Sequence, residues 1–319
     1  MAKRFIILFF CVCFLLGFTS CKKTAPKPCS DKLEVVSTTA MIAEVVSSIG
    51  KDKIISQCLI RGDIDPHSYE LVKGDRAKLN SSKIIFYQGL GLEHGASLVS
   101  YLKSEKKAHA IGDELIKNHP EKLIYHDGYL DPHVWLDMEL WQKIVPSITQ
   151  KLADLDPDNR LFYEANAAEL MEKMSLLDQK ILDLLNQIPE NKRYLVTSHS
   201  AFSYFTRRYV ARDGLWVDRC IAPEGLAPEA QISLYDIEKV VAYIKLHNIQ
   251  IIFSESNVSK DAIYKIIDVC SKSGLKVFLA DQPLFGDAFF NNKGYFDMMW
   301  HNATLLHQAW YEQTSAAQN

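Results

Sequence analysis

One tripeptide occurs twice in this chain, as Asp65-Pro66-His67 and as Asp131-Pro132-His133. In each copy the proline fixes its own φ and drives the preceding aspartate toward extended geometry. Each histidine is therefore carried on a stiffened loop with a set direction. A single loop histidine is ordinarily a solvated side chain, but two in the same setting point to metal ligands brought together by folding. Two further residues join them if strands and helices alternate as described below: His199, in Thr197-Ser198-His199-Ser200, and Asp287, in Leu284-Phe285-Gly286-Asp287. Three imidazoles and one carboxylate suit borderline divalent metals such as zinc, manganese, iron or cobalt. Calcium and magnesium prefer shells made wholly of oxygen. The remaining histidines share no repeated setting. His301 and His307, near apolar residues of the last helical stretch, read as surface or interface side chains. His126 precedes the second tripeptide, and one histidine does not make a histidine-rich capture loop.

The elements that must position these residues alternate along the chain. Strand patterns at 33–38, 54–60, 83–87 and 108–111 are each followed by a helix-like or turn-rich stretch. The second strand feeds the first tripeptide, and a turn-rich stretch at 118–130 delivers the second. A helix begins near Asp137. The longest periodic stretch runs from Pro157 to Gln187, with Phe162, Leu170, Met174, Leu177, Ile181, Leu184 and Leu185 on one face. Proline suits its first turn. Its Met and Leu stripe is core, and the pattern ends after about four heptads, too soon for a convincing coiled-coil dimer; a monomer is expected. The alternation then restarts, with strands expected at 194–197, 215–221, 249–253 and 276–280 and helices at 201–208, 237–246, 259–273 and 294–310. The expected fold is α/β: two (βα)4 lobes with parallel sheets, 33–156 and 188–319, joined by one long helix over 157–187. Ligands of such sheets bind beyond the carboxyl ends of the strands. His67, His133, His199 and Asp287 all fall on that edge, two from each lobe.

Lys3 and Arg4 precede an apolar run from Phe5 to Phe18, then Thr19-Ser20-Cys21. This reads as a secretory signal over 1–21, too short to span a bilayer. Cys21 stands where a lipoprotein signal places its lipidated cysteine, although Phe18 departs from the usual residue three places earlier. Simple cleavage is the alternative. Residues 22–32 form a polar tether, and the expected location is the periplasm, membrane-anchored through Cys21. Cys29, Cys58, Cys220 and Cys270 remain, an even set that permits disulfides in an exported chain without fixing their pairing. With a net charge of -3, the 319-residue chain has no basic excess for nucleic acid.

Taken jointly, five motifs identify a resemblance: 65–70 (Asp-Pro-His-Ser-Tyr-Glu), 89–93 (Gly-Leu-Gly-Leu-Glu), 131–137 (Asp-Pro-His-Val-Trp-Leu-Asp), 197–202 (Thr-Ser-His-Ser-Ala-Phe) and 253–258 (Phe-Ser-Glu-Ser-Asn-Val). The chain resembles the metal-binding receptors of manganese/zinc/iron ABC importers, the cluster 9 (A-I) family, over its whole length after the signal. The resemblance implies two (βα)4 lobes joined by a backbone helix, with metal ligands at His67, His133, His199 and Asp287. It implies one transported manganese, zinc or iron ion, and an ABC permease with its ATPase as partners. Manganese-type members often carry glutamate as third ligand, so His199 leaves the metal open. Asp281 competes with Asp287; the pattern Leu-Phe-Gly-Asp favours Asp287. Glu255 is expected near the site in a supporting role. An exported zinc-dependent hydrolase and a surface adhesin are the rival readings. Against the hydrolase, there is no His-Glu-x-x-His helix, and four protein ligands would close the shell. Ser198 and Ser200 are too near His199 in sequence to make a nucleophile–base pair, and Gly89-Leu90-Gly91 is too short for a phosphate loop. A receptor of this kind is expected to show a small lobe displacement on binding, and affinity falling below about pH 6.5 as imidazoles protonate.

Overall fold

The computed structural model describes residues 32–211, 214–228, 232–289 and 293–316. The predicted signal, Cys21, Cys29 and all of the tether but Lys32 lie outside the described residues.

Strand β1 (Leu33–Ser37) is followed by helix α1 (Ala40–Gly50), whose amino end is capped by Thr39 Oγ1 accepting from Ile42 N at 3.5 Å. Met41, Ile42, Val45, Val46 and Ile49 recur at helical spacing, and that face is buried against the sheet. Strands β2 (Ile54–Cys58), β3 (Ile84–Tyr87) and β4 (Ala108–Ala110) complete a parallel sheet of order β2-β1-β3-β4. Helices α2 (Asp75–Ser81), α3 (Ala96–Ser104) and α4 (Gly112–Asn118) connect or follow them. The turn-rich stretch contains a small antiparallel hairpin, β5 (Tyr125–His126) and β6 (Tyr129–Leu130). Its Asp127-Gly128 turn has φ of 51° and 86°, the left-handed pair that a two-residue hairpin requires. Helices α5 (Met138–Trp141) and α6 (Val145–Leu155) lead to α7 (Arg160–Leu185).

Helix α7 has 26 residues, about 39 Å at ~1.5 Å each. It starts later than the sequence pattern suggests because Pro157–Asn159 form a separate 3-10 turn. Its buried stripe is Tyr163, Ala167, Leu170, Met174, Asp178, Ile181 and Leu185. One side of it meets α1, α5 and α6, and the other meets α11 (Tyr295–Ala316). The main apolar core runs from Val35 and Trp141 through Met174 to Phe253, Phe285 and Trp310, and two smaller clusters, one around Val240 and Ile263 and one around Val36 and Leu79, lie apart from it.

The second half repeats the parallel plan with shorter strands: β7 (Leu195–Val196), β8 (Cys220–Ile221), β9 (Ile251–Ile252) and β10 (Phe278–Leu279). β7 pairs β8 and β9 pairs β10, and Phe253 N donates to Val196 O at 3.0 Å, joining β7 to β9. Helix α8 (Ser203–Phe205) runs into one wide π turn, Thr206–Val210, where a regular helix was expected. The strand expected over 215–221 is reduced to its last two residues. Leu215–Asp218 form a 3-10 turn after Gly214 at φ 80°. Leu215 and Val217 are exposed, and pairing begins only at Cys220, where β7 offers a partner. Helices α9 (Leu234–His247) and α10 (Asp261–Lys272) cover the outer face. Cys58, Cys220 and Cys270 are free thiols, so no disulfide joins cysteines among the described residues. Burial pushes Cys58 up to about 11 and Cys220 up to about 12, keeping both thiols protonated. No helix of the described residues is long and apolar enough to cross a membrane.

Candidate metal centre

Each candidate ligand follows a strand or turn whose backbone is locked by local hydrogen bonds. Asp65 Oδ1 accepts from His67 N at 2.9 Å, bending the loop back on itself. The carbonyl of His67 then accepts from His94 N and Gly95 N, both at 3.1 Å. Only glycine fits at 95, because a Cβ there would lie 2.0 Å from the carbonyl oxygen of Tyr69. The second tripeptide repeats the turn: Asp131 Oδ1 accepts from His133 N at 3.0 Å and contacts His133 Nδ1 at 2.7 Å. His199 follows β7, and Glu255 Oε1 takes the backbone N–H groups of both Ser198 and His199 at 3.0 and 2.9 Å. Asp287 ends the segment after β10, where Leu284 N donates to Ser254 O at 2.9 Å. Glu93, in the Gly-Leu-Gly-Leu-Glu motif, is buried and accepts from Thr38 Oγ1, Gln88 N and Gly89 N at 2.7, 2.8 and 3.0 Å. It ties the carboxyl ends of β1 and β3 together beside the site.

These loops bring His67, His133, His199 and Asp287 into one cluster. Each offers a ligand atom, and the four atoms lie within 4.8 Å of one another. His133 Nε2 is 3.3 Å from His67 Nε2 and 3.3 Å from Asp287 Oδ1. Asp287 Oδ2 lies 3.1 Å from His199 Nε2 and 3.6 Å from His67 Nε2. All four are buried, none more than 4% exposed. Such a set can hold one metal ion. His199 Nε2 and Asp287 Oδ1 are buried without a hydrogen-bond partner, a condition a native interior tolerates where an ion is to bind.

The outer ring nitrogens of two imidazoles face carboxylates. Asp131 meets His133 Nδ1, and Glu255 Oε2 lies 2.8 Å from His199 Nδ1, an ion-pair contact out of line for a good hydrogen bond. A carboxylate on Nδ1 directs Nε2 inward and raises its basicity. Burial opposes charge on these rings, but Asp131 and Asp287 outweigh it and lift His133 to about 9. Burial is likewise overcome at His199, where Glu255 and Asp287 hold the imidazole well above its ordinary value. At Asp287 burial is outweighed by His199 and His133, which keep the carboxylate well below its usual range. At His67 burial dominates and lowers it, although Asp287 pulls the other way.

Asp281 is exposed and lies outside the cluster, beside His301 at a separate cleft of about 470 Å³ next to β10. Glu255 lies against His199. His126 is outside the cluster; its Nε2 lies 2.9 Å from Ser203 Oγ and 3.4 Å from Asp131 Oδ2. His301 and His307 are half-buried: His301 Nε2 meets Pro283 O at 2.9 Å, and His307 stacks on Tyr311. Sequence reasoning missed Glu224. It is buried after β8, its backbone bridges that of His199, and burial pushes its carboxyl up to about 7 although His199 pulls it down. Its place at a strand end on the shared edge was the available signal.

The chain matches the family described as ZnuA, zinc-uptake complex component A, periplasmic, over residues 35–309. The metal-binding protein YtgA of Chlamydia trachomatis is 41% identical over 299 residues, 92% of this chain and 90% of that protein. The manganese-binding lipoprotein MntA of Bacillus subtilis is 30% identical over 295 residues, 90% of this chain and 92% of that one. The crystal structure of Fe(III)-bound YtgA from Chlamydia trachomatis superposes with a TM-score of 0.83 at 40% identity, covering 88% of this chain and 98% of that one. The periplasmic zinc-binding protein TroA of Treponema pallidum gives a TM-score of 0.80 at 26% identity, with 88% and 99% covered. The parallel sheets, the long helix and these matches agree: the chain belongs to the ZnuA family of metal-binding substrate-binding proteins of ABC transporters.

Proposed function

We propose that this chain is the periplasmic receptor of an ABC importer, capturing one manganese, zinc or iron ion as cargo through His67, His133, His199 and Asp287. The observation that carries this reading is the convergence of four donors, from four separate loops, into one buried cluster. Asp131 and Glu255 orient His133 and His199 and set their basicity. An incoming ion displaces the protons that these two rings hold, so capture is coupled to proton release. Loops from the 33–156 lobe supply His67 and His133, and loops from the 188–319 lobe supply His199 and Asp287. The ion thus favours the arrangement in which both lobes grip it, and 157–187 links them. The loaded receptor docks as a monomer on its permease, and the ATPase drives release. Cys21 carries the lipid that keeps the receptor at the membrane. A four-donor protein shell closes the tetrahedral coordination of zinc and leaves no open position there for a substrate, which favours a receptor over an enzyme.

The test is a titration of metal-stripped protein with zinc, manganese and ferrous iron. Intrinsic affinity should rank zinc above iron and iron above manganese. His199→Ala should weaken every one of them by more than about a hundredfold, beyond what residues that merely orient a ligand contribute. An unchanged isotherm for that variant removes His199 from the ligand set.

A further inference from the structure

Opposite ends of the hairpin that precedes the second tripeptide meet at one phenol. Tyr204 Oη accepts the N–H of Ile124 at 3.0 Å and donates to the carbonyl of Asp131 at 3.1 Å. Asp131 N donates to Ile124 O at 2.9 Å, so the phenol and this backbone bond together close the hairpin where it opens toward the site. The neighbouring Ser203 Oγ lies 2.9 Å from His126 Nε2, which in turn is 3.4 Å from Asp131 Oδ2. Three residues after Tyr204, Arg207 Nη1 donates to the carbonyl of Lys122 at 2.6 Å. Asp131 is thus held at its carbonyl by Tyr204, while Oδ2 faces His126 Nε2 at 3.4 Å without a hydrogen bond and Oδ1 is turned to His133. Ser203 and Tyr204 lie four and five positions after His199 on the same short segment. The segment that carries one candidate ligand therefore clamps the aspartate that aims another, with no ion needed to make the link.

We propose that Tyr204 is a positioning residue for metal capture: its hydroxyl fixes Asp131, and through it His133, in register with His199. This rests on the receptor reading above. Phenol, aspartate and imidazole act in series, so the effect of Tyr204 must pass through Asp131. The ring is fully buried and packs in the core, so Tyr204→Phe keeps its shape and removes the hydroxyl alone.

The experiment compares zinc affinity of metal-stripped wild type, Tyr204→Phe, Asp131→Asn and the double variant, together with imidazole nitrogen NMR of the metal-free proteins. Tyr204→Phe should weaken zinc by roughly 10–100-fold, the range for residues that orient a metal-binding histidine. The double variant should bind no more weakly than Asp131→Asn alone, because two steps of one chain do not add. In the spectra, the His133 Nδ1 signal should move in Tyr204→Phe while that of His67 stays in place, a pattern that general loosening of the fold would not give. Wild-type zinc affinity in Tyr204→Phe, additive losses in the double variant, or shifts spread equally over the imidazoles would each overturn the proposal. A wild-type protein that binds no divalent metal would instead overturn the receptor reading itself.

Discussion

A proton and a metal ion compete for the same imidazoles, and the carboxylates around them decide the terms. In the metal-free protein His133 titrates near 9 in place of its ordinary 6.5, and His199 is also raised. A raised folded-state value means that the bound proton stabilises the fold fully below 6.5, and that this contribution is lost as pH climbs through about 9. The thermal midpoint of the metal-free protein should therefore fall across that window, and the metal-loaded protein should not follow it. Asp287 is depressed, so its own contribution is lost only in acid and leaves this window untouched. Metal affinity should climb through the same range and level off above about 9. Titration calorimetry in buffers of different ionisation enthalpy would register the released protons; identical heats in every buffer would contradict the assignment. The window expected from isolated imidazoles lay below about 6.5. It moves upward because Asp131, Glu255 and Asp287 surround the rings, and of these only Glu255 had been placed in a supporting role from the sequence. Gly286 belongs to the same scale. A Cβ there would stand 2.5 Å from Glu255 Oε2, so Gly286→Ala should push Glu255 away from His199. We expect metal affinity to fall roughly 10–100-fold and unfolding free energy by about 1–3 kcal/mol, checked by zinc titration and urea denaturation.

Among the elements, the wide turn after α8 shows what the sequence conceals. The stretch 201–208 reads as helix, and helix it is for α8; from the π turn that follows, consecutive arginines reach carboxylates of α5, its cap and α7. Arg207 pairs with Asp137 at 3.3 Å. Arg208 forks onto Asp178 of α7, with its Nε 3.1 Å from Oδ1, and also pairs with Glu139 of α5. Tyr209 donates to Asp178 Oδ1 at 2.7 Å. Arg208→Ala would leave the nearly buried Asp178 carboxylate with one partner fewer. It should lower stability by about 3 kcal/mol, and Arg208→Lys should restore little because an ammonium cannot fork. Urea denaturation decides both. Such a knot is illegible in sequence, since its members lie 30 and 69 residues apart in the chain. The first sheet was legible because three of its strands carry paired β-branched residues, Val35-Val36, Ile54-Ile55 and Ile84-Ile85, between turn residues. The second was harder: its strands are two residues long, and Leu215-Trp216-Val217 has the composition of a strand without a neighbour to pair with. His67 and His133 were legible through their repeated tripeptide, and His199 and Asp287 through their place after strands. Tyr204 was not, because nothing local distinguishes a buried phenol aimed at a distant loop from one that is not, and Glu224 offered only its place at a strand end.

For the molecule as a whole, α7 and the core built on it limit motion. A helix of 26 residues packed against α1 and α6 on one side and α11 on the other cannot bend sharply without breaking a core that runs the length of the protein. Radii of gyration of metal-free and metal-loaded protein should differ by less than about 1 Å in solution scattering; a larger change would point to a wide hinge. A ligand cluster that is at most 4% exposed carries a further consequence for how the cargo departs. An ion so enclosed waits on the walls, and its escape is timed by how often they part. Stripping by a strong chelator should therefore proceed at one fixed rate however much chelator is supplied, and only something that pries the walls apart would hasten the exit.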